Sequence, residues 1–398
     1  MALDLMKERG TPLDRQRFTW KEMTPPPYSK LNDDAFTRAR VILMNGIEVE
    51  QNRFLHACAR FNGHLRGPLA EVRRVDQHQA TTINWLNPPD QSPLETTLAY
   101  EQVAIEVTAS IALNEPDPYM AQAHRFGLLE DFDHLYRYSA LYERLEGKDA
   151  NNIIQSYSDI RPGRPTSVEH RHPLDDVRNP YDRKRAAPLS KLNAYTLTAS
   201  ENQTHDYYMN VGPFFSDPVA RQLYAEIASI EEQHVTHYES LIDPDETWLE
   251  KWLLHEATEV YNYMSCLQYE TNPRIKQIWD RFLSYELGQL QYVAELFKKI
   301  EGRDPAEVLP ATLPEPIAFE SHRKFVRETL NREVDLRASG TEFMPLSQIP
   351  PENRTADYQA HLNSSGSPSE IVAAGYRWMP GTELAALAMA SDNESRVH

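Results

Sequence analysis

Glu231 and His234 stand three residues apart in the stretch IASIEEQHVTHYESL, residues 227–241. On a helix, a carboxylate and an imidazole at that spacing point the same way. Ile227, Ile230, His234, His237 and Leu241 recur at intervals of three and four, so His234 lies on the apolar face. Glu-x-x-His on a buried face is what a carboxylate-bridged pair of metal ions asks of two helices in a four-helix bundle. The other two helices each supply a Glu.

Other segments carry acids on apolar stripes. In 274–301, Ile275, Ile278, Phe282, Val293, Leu296 and Ile300 share a stripe with Glu286 and Gln289. In 246–270, Leu249, Trp252, Tyr263 and Cys266 flank Glu256 and Glu259. In 190–211, Leu197 and Tyr208 share a face with Glu201. Buried carboxylates repel one another and lose hydration unless they are paired or metal-bound. The candidate ligand set is therefore Glu201, Glu231, His234, Glu256, Glu259, Glu286 and Gln289. Two divalent cations would relieve the repulsion, and oxygen with imidazole suits iron or manganese, with zinc as a further option. No catalytic side chain is assigned.

Periodicity and breakers place the elements. A polar, proline-bearing arm covers 1–34. Helices are expected at 35–62, 66–87, 93–114 and 119–146, the last closing at Gly147. Residues 150–189 carry no helical period and read as an irregular linker, with His170 and His172 as solvated side chains. Helices return at 190–211, 216–241, 246–270 and 274–301, the last before Gly302. Residues 303–398 read as an irregular extension with short helices at 320–337 and 382–391. The fold class is all-α: two tandem four-helix bundles, 35–149 and 190–302, with a linker and a long tail.

The two halves align with each other. SPLETTLAYEQVAIE lies over TWLEKWLLHEATEVY and LYERLEGKD over LFKKIEGRD, at an offset of 155, with VDQHQ over EEQHV at 156. This sets His78 against His234, Glu101 against Glu256, Asp131 against Glu286 and His134 against Gln289, and Glu50, at an offset of 151, is matched to Glu201. Val75 and Ala104 stand opposite Glu231 and Glu259. The first half thus offers a weaker, degenerate site: Glu50, His78, Glu101, Asp131 and His134.

A net charge of −18 argues against a nucleic-acid surface. Two cysteines, Cys58 and Cys266, suit neither a disulfide scaffold nor a four-cysteine metal site. The first residues lack the apolar run of a secretory signal, and no stretch has the length of a membrane span, so a cytoplasmic location is expected.

The second half resembles the ferritin-like superfamily, in particular rubrerythrin-type di-iron carboxylate proteins. The residues that carry this are ENQTHDYYMNVG with Glu201 and Tyr208, IASIEEQHVTHYESL, HEATE with Glu256 and Glu259, and YELGQLQY, where Gln289 stands in place of the expected histidine. The resemblance implies two iron ions at a bundle centre and reaction with dioxygen or peroxide. It also implies an external electron donor, since rubredoxin-like cysteine pairs are absent. Tyr207, Tyr208, Tyr261, Tyr263 and Trp252 would be core or would relay electrons. A non-catalytic or iron-handling protein is the alternative, and the long tail suggests a homodimer.

Overall fold

The computed structural model describes residues 3–380. The expected helix at 382–391 lies outside them. The chain is predominantly helical. Eight long helices dominate: α1 (Ala35–Phe61), α2 (Arg66–Asn84), α3 (Pro93–Asn114), α4 (Pro118–Glu146), α5 (Pro188–Val211), α6 (Pro218–Glu239), α7 (Trp248–Tyr269) and α8 (Pro273–Glu301). Among the described residues no helix is long and apolar enough to cross a membrane.

The helix ends show the repeat. Ser92 and Thr247 start α3 and α7 with the same reciprocal cap, closed by Glu95 and Glu250. Asp117 and Asn272 cap α4 and α8, each followed by proline. Gly147 and Gly302 end those helices at φ of 64° and 66°, a left-handed turn that a Cβ would strain. All three pairs stand 155 residues apart.

Four antiparallel hairpins result, α1–α2, α3–α4, α5–α6 and α7–α8, and their association differs from the tandem arrangement expected from the sequence. The inner hairpins α3–α4 and α5–α6 share one polar core, and the outer hairpins α1–α2 and α7–α8 share another. Each core therefore combines one hairpin from either half. Buried anchors fix the exchange. Glu115, at the end of α3, accepts from Ser190 and Asn193 on α5. Its repeat counterpart Glu270, at the end of α7, accepts from Thr37 and Arg40 on α1.

The connecting segments are packed, not loose. Residues 97–112 of α3 and 126–142 of α4 are buried on every face, because the linker and tail cover them. Gly163 lets the linker backbone lie against α4: a Cβ there would sit 2.5 Å from the Leu129 carbonyl oxygen. His170 is buried, with Nε2 3.4 Å from Glu226 Oε1, and His172 is half-buried, so His170 is not the solvated side chain expected. The tail contributes α9 (Arg323–Glu333), a β-hairpin of β1 (Leu336–Ser339) and β2 (Glu342–Pro345), α10 (Arg354–Leu362) and α11 (Pro368–Ala373). The β-hairpin is a departure from a purely helical chain. The N-terminal arm lies across α8, where the Thr11 amide donates to the Ser284 carbonyl at 2.6 Å.

Candidate metal centre

Four helices converge on the inner core, and each delivers a carboxylate from its middle: Glu101 from α3, Asp131 from α4, Glu201 from α5 and Glu231 from α6. His134 follows Asp131 by three residues, as His234 follows Glu231. All six side chains are buried to 1% exposure or less. Their ligand atoms form two groups of four, Glu101, Asp131, His134 and Glu231, and Asp131, Glu201, Glu231 and His234, each within 4.8 Å. Asp131 and Glu231 belong to both groups. Glu101 with His134, and Glu201 with His234, are private to one.

The imidazoles are oriented through their outer nitrogens. His134 Nδ1 lies 3.1 Å from Glu231 Oε1, and its Nε2 lies 2.9 Å from Glu169 Oε2. His234 Nδ1 lies 3.2 Å from Asp131 Oδ1 and Glu231 Oε2, and its Nε2 lies 2.8 Å from Glu130 Oε2. Nδ1 therefore faces the carboxylates in both, and a carboxylate stands behind each ring. Such outer partners fix ring orientation and raise ligand basicity. Arg164 and Arg171 hold Glu130 in turn, at 3.1 and 2.5 Å. Tyr208 donates its hydroxyl to Glu101.

Burial pushes Glu101 and Glu201 well above, and Asp131 above, the ordinary carboxylate range. Burial acts the same way on Glu231, but the hydrogen bonds from His134 and His234 outweigh it and hold that carboxyl at about 2. Burial would lower both imidazoles. Glu169 and Glu231 reverse this for His134, and Asp131 and Glu130 for His234, so both are raised well above their usual value. Cations bound at Nδ1 would displace these protons. Both oxygens of Glu201, Asp131 Oδ2 and Glu101 Oε2 have no hydrogen-bond partner. Orphaned buried oxygens facing two imidazoles fit a pair of divalent cations.

The other predicted ligands separate. Glu256, Glu259, Glu286 and Gln289 lie in the outer core, joined by Glu48, Asp76 and Gln79. The seven-residue set expected around one centre is thus divided between two. Glu101, Asp131 and His134, read as a weaker site of the first half, complete the site of Glu201, Glu231 and His234.

Glu50 and His78 belong to neither core. Glu50 is half-buried, 3.8 Å from Arg53, and His78 meets Phe18 edge-on. The cause is helical phase. Leu69, Val72, Asp76, Gln79 and Ile83 form the buried stripe of α2, and Val41, Met44, Glu48, Gln51, Leu55 and Cys58 that of α1. Asp76 and Gln79 stand 155 residues before Glu231 and His234, the offset seen elsewhere in the repeat. The alignment at 156 puts His78 one residue out of phase, about 100° around its helix, and Glu50 stands two residues, about 200°, from the inward Glu48.

Glu130, Glu169, Arg164 and Arg171 are buried neighbours of the site that the sequence pattern did not reveal. Glu130 precedes an inward Asp131 and leaves the helix about 100° from it, yet reaches His234 Nε2. The other three belong to a linker with no period to read. Of the aromatic residues expected near the site, Tyr208, Trp252 and Tyr263 donate to Glu101, Glu256 and Glu48. Tyr207 stacks on Tyr100, and Tyr261 donates to the Glu315 carbonyl.

Comparison with known proteins finds no matching family model, no matching curated protein and no matching solved structure.

Proposed function

We propose that the inner hairpins form a ferritin-like, di-iron carboxylate centre and that the protein is an oxidoreductase acting on dioxygen or peroxide. The observation that carries this reading is the sharing of Asp131 and Glu231 between two four-ligand groups. One Glu and one His would serve each ion alone, and Asp131 and Glu231 would serve both. Four carboxylates and two neutral imidazoles balance the charge of two divalent cations. Manganese and zinc fit the same donors, but imidazole-plus-carboxylate sites with redox work to do favour iron.

A bound ferrous pair supplies electrons and Lewis acidity for reducing an O–O bond. The chain's own residues set the conditions. Glu130 and Glu169 keep Nδ1 of each ring toward the ions, and Tyr208 holds one oxygen of Glu101. The packed linker and tail exclude bulk water. Cys58 and Cys266 are buried in the outer core, so electrons come from an external donor.

Metal analysis of the full chain tests this. Near two iron or manganese ions per chain are expected in the inner bundle. Glu231→Ala should remove both ions, because it serves both, whereas Glu201→Ala should weaken only one. Loaded protein should consume dioxygen or peroxide with a reductant. No bound metal after anaerobic reconstitution with ferrous iron would sink the enzyme reading and leave a helical binding scaffold.

A further inference from the structure

The outer core poses a separate electrostatic problem. Glu48, Asp76, Glu256, Glu259 and Glu286 are buried to 1% exposure or less. Among the described residues no Lys, Arg or His lies within 4.0 Å of any of their oxygens. Five buried carboxylates with no cationic side chain in contact are strongly unfavourable in an apolar interior, unless they are protonated or joined by a cation.

The hydrogen bonds decide between these. Glu48 Oε1 accepts from Tyr263 and from Gln79 Nε2. Glu256 Oε1 accepts from Gln51 Nε2 at 2.8 Å and from Trp252 Nε1 at 2.7 Å. Glu286 Oε1 accepts from Gln79 Nε2 at 2.6 Å and from Gln289 Nε2 at 3.2 Å. In each case one oxygen takes two donors and the other takes none. Glu48 Oε2, Glu256 Oε2, Glu286 Oε2, both oxygens of Asp76 and of Glu259, and Gln289 Oε1 are all without a partner. Neutral donors that hold one oxygen and leave the other without a partner are how a protein can orient a carboxylate for an ion. Ligand oxygens of Glu256, Glu259 and Glu286 lie within 4.8 Å of one another.

We propose that the outer hairpins hold one hard divalent cation, calcium or manganous ion, in an all-oxygen cage built on Glu256, Glu259 and Glu286 and completed by Asp76 and the Gln289 carbonyl. No nitrogen or sulfur ligand is present to favour iron, zinc or copper. The number of carboxylates favours calcium or manganese over magnesium, which keeps its waters and takes one or two. The ion ties α2 to α7 and α8 and stands apart from the redox pair. This inference does not depend on the inner centre being an enzyme.

The test uses the full chain carrying His134→Ala and His234→Ala, stripped with chelator and dialysed against manganous or calcium chloride. One manganous ion per chain is expected, and calcium should raise Tm. Adding Glu259→Gln and Glu286→Gln should weaken manganese binding ~100-fold or more, abolish the calcium effect, and leave the metal-free Tm equal or higher because repulsion is removed. Should the histidine variant fail to fold, iron-loaded wild-type chain serves with and without Glu259→Gln. A Tm indifferent to both ions, with no bound manganese, would overturn the proposal in favour of protonated carboxyls. So would manganese binding that survives the glutamine substitutions, or iron in place of manganese in the outer core.

Discussion

The two cores are variations on one skeleton. Each takes carboxylates from four helices, and on the second helix of each hairpin it places a nitrogen-bearing side chain three positions after the acid. In the inner core those residues are His134 and His234, and in the outer core Gln79 and Gln289. The outer shells change in step. The carboxyl groups of Glu169 and Glu130 stand behind the imidazoles. Neutral Tyr263, Trp252 and Gln51 stand behind the carboxylates. Ligand type and supporting charge therefore vary together, which a simple decay of one site into packing would not produce. A decayed site would fill with apolar side chains, but the outer core keeps five acids.

The strongest way to break this comparison is to exchange the two residues that define it. His134→Gln with His234→Gln should abolish iron binding in the inner core, a loss exceeding 100-fold in affinity. Gln79→His with Gln289→His should let the outer core take iron. That gain should be weaker, since no carboxylate stands ready behind the new rings. Iron content and optical spectra of the four proteins report the outcome. Iron retained by the double glutamine variant would show that the imidazoles do not decide the metal.

Much of this was legible in the sequence. Glu231, His234 and Glu201 follow from periodicity, and the duplication follows from matched turns and caps such as Ser92 with Thr247. Which hairpins share a core was not legible, because that depends on long-range anchors. Glu115 with Asn193, and Glu270 with Arg40, are pairs of distant polar residues that no local pattern connects. The phase of α1 and α2 was readable but missed. The stripe Val41, Met44, Glu48, Gln51, Leu55 and Cys58 puts Glu48 inward and Glu50 about 200° away. The linker could not be read, as Arg164, Glu169 and Arg171 are buried by tertiary contact alone.

A smaller effect separates the two supporting shells. Glu169→Gln keeps the side chain's shape but removes the carboxyl group behind His134. It should cost 10- to 100-fold in metal affinity at the inner core and nothing at the outer one. Titration of both metals in one protein measures this, with the outer site as internal control. Equal weakening at both sites would mean that Glu169 supports the fold generally and does not tune His134.

The covers also differ, and the smallest effect lies there. The N-terminal arm closes over α8 beside Gln289, where Gly288 admits the Thr11 carbonyl: a Cβ would lie 1.8 Å from its oxygen. That contact carries no charge. The inner core is covered by the linker and tail, joined by Arg354 and Thr355 to Asp175. Burial pushes the Asp175 carboxyl up, but Arg354, Thr355 and the Gly340 amide outweigh it and hold it at about 2, against an ordinary 3.8. The folded state thus binds this proton less tightly than the unfolded chain. The contribution is complete above about pH 4 and is lost as pH falls toward 2. Solvent screens the exposed Arg354, so the effect is modest. In metal-free protein, Asp175→Asn should lower Tm by on the order of 2 °C at pH 6, and the gap should narrow below about pH 4 and close as the pH falls past about 2. The same variant should speed release of the inner ions to a chelator and leave the outer ion unchanged. A faster loss of both ions would mean that the two cores share one cover, and that the separation of linker and arm has no functional consequence.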